Sequence, residues 1–444
     1  MTSEKKQAFF LFDKQVRLSY LFLIKWFFLA VFSGIAGSCI LRSFIYLSEK
    51  ISFLLMQYSV PLPVWTVAGA LIAGLAIYKI QPDAAGEGIP GYIRGLRVNH
   101  GDLGISVTFF KYWAALATLS TFGNGGVVGP LGRTSAGLMS FIAKQLEKAG
   151  IAFTKEDLRT ASICGLAATV GAVFHSSIGG GIFAVEIIQK AKMGYKDLFP
   201  AILSSASATF FCKAVGWGTF YHIKAADSFM DFTMVGWLLC LTVVAGLVGG
   251  IYPSLYAFIS KVIKREKGNI VLKLVLGSLV ASFAAWAINP ALLGTSNEFI
   301  DAIFSGNMEI LAGRLIPLKS AGLILLIMLI FKAAGNCITV GCGMSAGFTG
   351  PAAITGMLLG ASAASFLQIP LSTPTYFAFV AAGFSGMLAS SMNVPISAAV
   401  LATEVFGLQY SFPGGLAAIV GFQVTRHQTI YDYALAGSGL RVDE

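Results

Sequence analysis

Three short phrases in this chain could do chemistry, and the chemistry is the binding of an anion by backbone. They are Gly86-Glu87-Gly88-Ile89-Pro90, Gly126-Val127-Val128-Gly129-Pro130 and Gly347-Phe348-Thr349-Gly350-Pro351. Proline is tolerated at a first helical position because its missing N–H would have had no partner there. The glycines let other groups approach closely and leave neighbouring N–H groups available. Such donors, together with the positive end of a helix dipole, form an anion site. The last two phrases belong to a longer repeat. Phe110-Lys111, Thr118, Gly126 and Gly129-Pro130 recur as Phe331-Lys332, Thr339, Gly347 and Gly350-Pro351, always 221 positions on (331 against 110). A second matched stretch follows at a separation of 218 (383 against 165), where Gly165 answers Gly383, Ile178 answers Ile396 and Ile182 to Glu186 answer Val400 to Glu404. Repeated helix starts within apolar sequence indicate a transport site between two repeats.

The elements that must position these phrases are membrane helices. Apolar residues form 56% of the chain and charged residues 12%, and the runs Leu18–Phe32, Trp65–Tyr78, Met234–Ala257, Leu272–Ile288 and Ala321–Phe331 have the length and character of spans. Shorter or Gly/Pro-broken segments, at Gly88–Leu96, Gly129–Ile142, Ser177–Ile188, Gly350–Ala361 and Pro395–Phe406, read as half-helices or tilted helices. Broken backbone at membrane depth is tolerated where it is buried in protein or lines a cavity. The expected fold class is therefore an all-α integral membrane protein with two structurally repeated, inverted halves of tilted and discontinuous helices. The halves are placed at 18–217 and 231–436, bridged near Ala225–Phe232. Residues 1–17 are expected to be a cytoplasmic segment, and the short tail after Ala436 predicts no soluble regulatory domain.

The net charge of +10 does not point to nucleic acid. Its carriers, such as Lys5, Lys6, Lys14, Arg17, Lys261, Lys264, Arg265 and Lys267, flank spans, which places those flanks in the cytoplasm. Basic residues do not alternate with aromatics in a stripe. The opening lacks a cleavage site, so a removable signal peptide is not expected. Six cysteines in apolar sequence read as small buried residues, and no Cys/His spacing suggests a metal. An intramembrane hydrolase built on His175 would need a serine converging with it on one site; no enzyme is expected.

Five charged residues stand out. Glu87 is ionisable at membrane depth, which by default marks function; the competing reading is a carboxylate facing water in a vestibule. Glu186 and Glu404 match across the repeat and suit hydrogen bonding to broken helix ends. Lys111 and Lys332 also match; such lysines neutralise helix C-termini or raise the local potential for anions, and neither reads as a direct ligand.

In order and spacing, the three phrases resemble the signatures G-S-G-I-P, G-x-E-G-P and G-x-F-x-P of the CLC family of chloride channels and H+/Cl− exchangers. Tyr431 looks like the tyrosine that completes that family's chloride site, and Lys111 sits where the family commonly has a basic residue. The resemblance covers nearly the whole chain. It implies a multi-pass protein of a bacterial-type inner (plasma) membrane, with its N-terminus cytoplasmic. It also implies a homodimer with one pathway per subunit, chloride or another small anion as cargo, the lipid bilayer as surroundings and no cofactor. The anion-binding set carried over is Glu87, Gly88, Ile89, Val128, Gly129, Phe348, Thr349 and Tyr431. Four of the family's side chains differ here. Glu87 stands in place of a serine, Val128 in place of the gating glutamate, Thr349 in place of phenylalanine (with Phe348 just before it) and Ile187 in place of an inner glutamate, beside a retained Glu186. Valine cannot bind a proton or mimic chloride, so channel-like conduction is expected. The alternative is an H+/Cl− exchanger whose gating carboxylate has moved to Glu87. A charged Glu87 would repel bound chloride, so it is protonated, swung out of the site, or itself the gate. The gate and proton-path candidates are therefore Glu87, Val128, Glu186 and Ile187.

Overall fold

Glycine and proline punctuate an almost wholly helical chain. The computed structural model describes residues 3–150, 153–188, 194–220, 230–265, 269–315 and 320–436. Lys267, the final residues 437–444 and all of the expected bridge Ala225–Phe232 up to residue 229 lie outside that set. The first half comprises α1 (Ser3–Met56), α2 (Leu62–Ile80), α3 (Ile89–Val98), α4 (Ile105–Ser120), α5 (Val128–Lys148), α6 (Lys155–Phe174), α7 (Gly179–Glu186) and α8 (Tyr195–Ala214). The second comprises α9 (Val235–Arg265), α10 (Ile270–Ile288), α11 (Asn297–Ser305), α12 (Met308–Ala312), α13 (Ala321–Gly341), α14 (Thr349–Phe366), α15 (Pro374–Met392), α16 (Pro395–Phe406) and α17 (Ser411–Thr425), and α18 (Ile430–Ala436) follows. Among the described residues, seven helices are long and apolar enough to cross a membrane.

Residues 3–17 form the first turns of α1, whose 54 residues extend about 80 Å at 1.5 Å per residue, far more than a bilayer core. One sequence expectation is corrected. Cys39 and Cys240 are exposed rather than buried, whereas Cys164, Cys212, Cys337 and Cys342 are buried. In a membrane protein an apolar position can face lipid as readily as core.

The repeat is visible in packing. Helices α6 and α15 are almost completely buried and lie against α5 and α14. A Cβ added at Gly165 of α6 would come within 2.4 Å of the Ser135 carbonyl oxygen; at Gly383 of α15 it would come within 2.1 Å of the Gly356 carbonyl oxygen. Both halves thus use a matched glycine to bring two backbones into contact. Contacts between the halves are reciprocal. The Gly126 N–H donates to the Gly347 carbonyl at 2.9 Å and the Gly347 N–H donates back at 2.7 Å. Glu186, at the end of α7, accepts from the Ile396 and Ser397 N–H groups that open α16, at 3.1 and 2.8 Å. Glu404 in α16 accepts from the Ile178 and Gly179 N–H groups that open α7, at 3.1 and 2.9 Å. A contact paired with its own mirror in register is what a two-fold axis produces. Because α7 and α16 run antiparallel, the halves are inverted with respect to each other.

Candidate anion site

The carriers of the site are three helix starts and one short final helix. The first phrase follows a 3₁₀ turn (Pro82–Ala84) at the end of α2 and bends through two glycines with left-handed backbone, Gly86 at φ +71° and Gly88 at φ +118°. At Gly88 a side chain would also meet the Gly129 carbonyl oxygen at 2.5 Å. The loop is held from behind by Lys111 in α4, whose ammonium donates to the carbonyls of Ala84 (3.1 Å) and Gly86 (2.5 Å). Lys332 in α13 does the same for the second half. It donates to the carbonyls of Leu292 and Gly294 at 3.1 and 3.2 Å and to Ser296 Oγ at 2.6 Å. Leu292 ends the 3₁₀ turn Pro290–Leu292 that follows α10. Pro82, Ala84, Gly86 and Gly88 therefore have counterparts in Pro290, Leu292, Gly294 and Ser296, a repeat too sparse in identities to be read from sequence. Each lysine caps the exposed carbonyls at the end of a short helical turn.

Glu87 points into the site. It is 3% exposed. Its Oε2 accepts from the Ile89 N–H at 2.5 Å and its Oε1 from the Phe348 N–H at 3.4 Å. Ile89 is the first residue of α3, and Phe348 is the residue that caps α14. The carboxylate also lies against Gly129 in the first turn of α5, where an added Cβ would come within 2.1 Å of Oε1. Three helix starts and one carboxylate thus meet at one place. Donors at the first turn of a helix have no partner within it, so the carboxylate lies among the donors that the phrases were expected to turn toward an anion.

The remaining residues of the expected set divide into those at this place and those beside it. Val128 and Thr349, equivalent in the repeat, open α5 and α14 and are buried. Tyr431 in α18 is buried with its hydroxyl 3.5 Å from Met392 Sδ. Thr349 lies near enough to interact with that hydroxyl, without a well-aligned hydrogen bond. The Phe348 ring packs edge-on against Tyr256 and Tyr252, with ring centroids 4.8 and 6.1 Å apart. Ile187 caps the end of α7 and, with Glu186 and Tyr431, lines a small crevice rather than the Glu87 cluster.

Adjoining Glu87 is a cavity, a vestibule of about 280 Å³, lined by Glu87, Lys111, Arg133, Asp83, Tyr256 and Lys273 among others. Its cations outnumber its acids, which favours anions within it. Two contributors were not singled out from sequence. Arg133 is buried in α5 with Nη1 3.4 Å from Thr108 Oγ1; its position three residues after Pro130 in uncharged sequence was the available signal. Asn336 joins the two later phrases. It receives the Tyr252 hydroxyl on Oδ1 at 2.5 Å and donates from Nδ2 to the carbonyls of Asn124 and Gly347 at 3.2 and 3.1 Å. Among the described residues no group of three or more His, Cys, Asp and Glu side chains is placed to hold a metal.

Known proteins resemble this chain over 62 to 93% of its length. It is 25% identical over 431 residues to an uncharacterised protein of Methanocaldococcus jannaschii, covering 93% of this chain and 96% of that one. It is 26% identical over 284 residues to a chloride/fluoride channel protein of Pseudomonas syringae pv. tomato, covering 62% and 58% of the two chains. A third relative, 25% identical over 360 residues with 76% and 69% covered, is an H(+)/Cl(-) exchange transporter of Salmonella paratyphi A. Among solved structures, a CLC-type fluoride/proton antiporter superposes with a TM-score of 0.79 at 18% identity, covering 93% of this chain and 98% of the other. A slow cyanobacterial Cl-/H+ antiporter superposes with a TM-score of 0.77 at 15% identity, covering 94% and 97%. At these identities the structures establish the fold. The family model described as voltage gated chloride channel matches residues 69–426, and the chain therefore belongs to that family, the CLC proteins of anion transport.

Proposed function

We propose that this protein conducts chloride or a similarly small anion passively through a site inside each chain, with Glu87 as the group that closes the site. The observation that carries this reading is the seat of the Glu87 carboxylate on the N–H groups of Ile89 and Phe348. A carboxylate there competes with an anion for the same donors and repels it as well. Protonation removes the repulsion and weakens the grip of the amides, so the anion takes its place. Val128, where the family has its gating glutamate, supplies neither charge nor proton. Passive conduction controlled by Glu87 follows.

A second reading is proton-coupled exchange. The crevice that brings Glu186 near Tyr431 favours it, because protons would need a route to Glu87 separate from that of the anion. Efflux from reconstituted liposomes decides between the two. A chloride gradient that moves no protons at any pH supports conduction; stoichiometric proton movement, abolished in Glu87→Gln, supports exchange and overturns the first reading. No flux of any anion would overturn both. Two chains are proposed to pair through the faces bearing Ile178, Ile396, Phe412 and Leu408, large apolar side chains left exposed. The start of α1 and the adjoining ends of α9 and α10 are proposed to face the cytoplasm, because basic residues concentrate near them.

A further inference from the structure

A second cavity adjoins the vestibule on the membrane-facing side of α9 and α10. It measures about 310 Å³ and is walled by Phe258, Ile259, Val262, Leu276 and Val280, with Ile338 of α13 at its back. Its lining is hydrocarbon, with one ionic exception. Lys273, in the first turn of α10, borders this groove and also the vestibule beside Glu87. Its side-chain ammonium takes part in no ion pair or hydrogen bond among the described residues. At the end of α9, Lys261 and Arg265 are exposed, and only the short connection 266–269 separates that end from α10. Three cations therefore gather where an apolar groove meets the end of two membrane helices.

We propose that an anionic phospholipid binds here, with an acyl chain in the groove and its phosphate on Lys273, flanked by Lys261 and Arg265. A neutral or zwitterionic lipid would fill the groove equally well but would add no net charge to offset the cluster. The anionic lipid brings a phosphate to a lysine whose ammonium has no hydrogen-bond or ion-pair partner among the described residues, and each cation near an anionic surface contributes about fivefold in affinity. Because Lys273 also borders the vestibule, the bound phosphate sets a negative charge at the mouth of the anion path and slows entry. This last effect rests on the vestibule being that path; the binding does not.

The test uses the full chain in detergent and in vesicles. Native mass spectrometry with added phosphatidylglycerol or phosphatidylcholine counts retained lipid. Preferential retention of phosphatidylglycerol is expected, lowered about fivefold in Lys273→Gln, restored in Lys273→Arg and lowered in Val280→Trp, which fills the groove. Equal retention of the two lipids, or retention unchanged in both Lys273→Gln and Val280→Trp, would overturn the proposal. Chloride efflux is then compared in phosphatidylcholine vesicles with and without phosphatidylglycerol, at high salt to screen general surface charge. Slowing in the native chain but not in Lys273→Gln supports the lipid at the vestibule mouth. Selective binding without slowing would leave the lipid site standing and count against the vestibule as the anion path.

Discussion

Replacing Glu87 with glutamine tests the central electrostatic claim with almost no change of shape. The carboxylate accepts from the Phe348 N–H at 3.4 Å. An anion held by that same N–H would lie about 4 Å from it, and two like charges at that separation repel by about 4 kcal/mol at an effective dielectric of about 20. That is about a thousandfold in affinity, an upper bound because the side chain can swing aside. Glutamine keeps an acceptor for the Ile89 N–H and carries no charge. Chloride binding by isothermal titration calorimetry at alkaline and acidic pH reads the effect. The native protein should bind more tightly as pH falls, because protonation removes the repelling charge. Glu87→Gln should bind tightly throughout, by 100-fold or more over the native protein at alkaline pH on the same Coulomb estimate. Equal affinities for the two proteins at alkaline pH, or a pH dependence that survives in Glu87→Gln, would refute competition by this carboxylate.

Other perturbations probe the frame. Gly129→Ala sets a methyl group against Glu87 Oε1 and should expel the carboxylate. Chloride efflux at alkaline pH should then approach that of Glu87→Gln, though with lower thermal stability, because the Glu87 carbonyl oxygen is also crowded. Glu404→Ala strips the cap from α7; hydrogen bonds to a charged group contribute about 1.5–3 kcal/mol, which should lower the unfolding midpoint in detergent by several degrees. Gly383→Ala drives a methyl group into the Gly356 carbonyl, a backbone clash that should cost more than the cap and appear as lost expression of folded protein. Lys111→Met leaves the Ala84 and Gly86 carbonyls without their donor, and the loosened Glu87 loop should blunt the pH dependence of efflux.

The doubled Gly-x-x-Gly-Pro was legible because its job needs particular residues. Only glycine allows the approach of the two strands at Gly126 and Gly347, and only proline can open a helix without wasting a donor. Matched Glu186 and Glu404 were legible as helix-end partners, since a carboxylate in apolar sequence must find N–H groups. What they bond was not: each crosses to the other half, a pairing 210 or more positions apart with no local signature. The direction taken by Glu87 was likewise hidden. Its sequence fits a carboxylate facing water or one turned into the site, and the structure has it bordering the vestibule while bonded to two helix starts. Burial was the least legible property, as Cys39 and Cys240 show, because lipid and protein interior select the same side chains.

The crossed carboxylates also bear on how the chain is made. As the first half leaves the ribosome and enters the bilayer, the N–H groups of Ile178 and Gly179 have no acceptor, because Glu404 has not been synthesised. Exposed to hydrocarbon, each such group costs several kcal/mol. The first half must therefore wait, incomplete and with α7 unsealed, until more than two hundred further residues have been inserted. Completion of the second half seals both at once. A defect near the end of the chain is consequently felt in a helix laid down long before it, and surveillance machinery that samples unfinished membrane proteins would meet this one open until the last helices arrive.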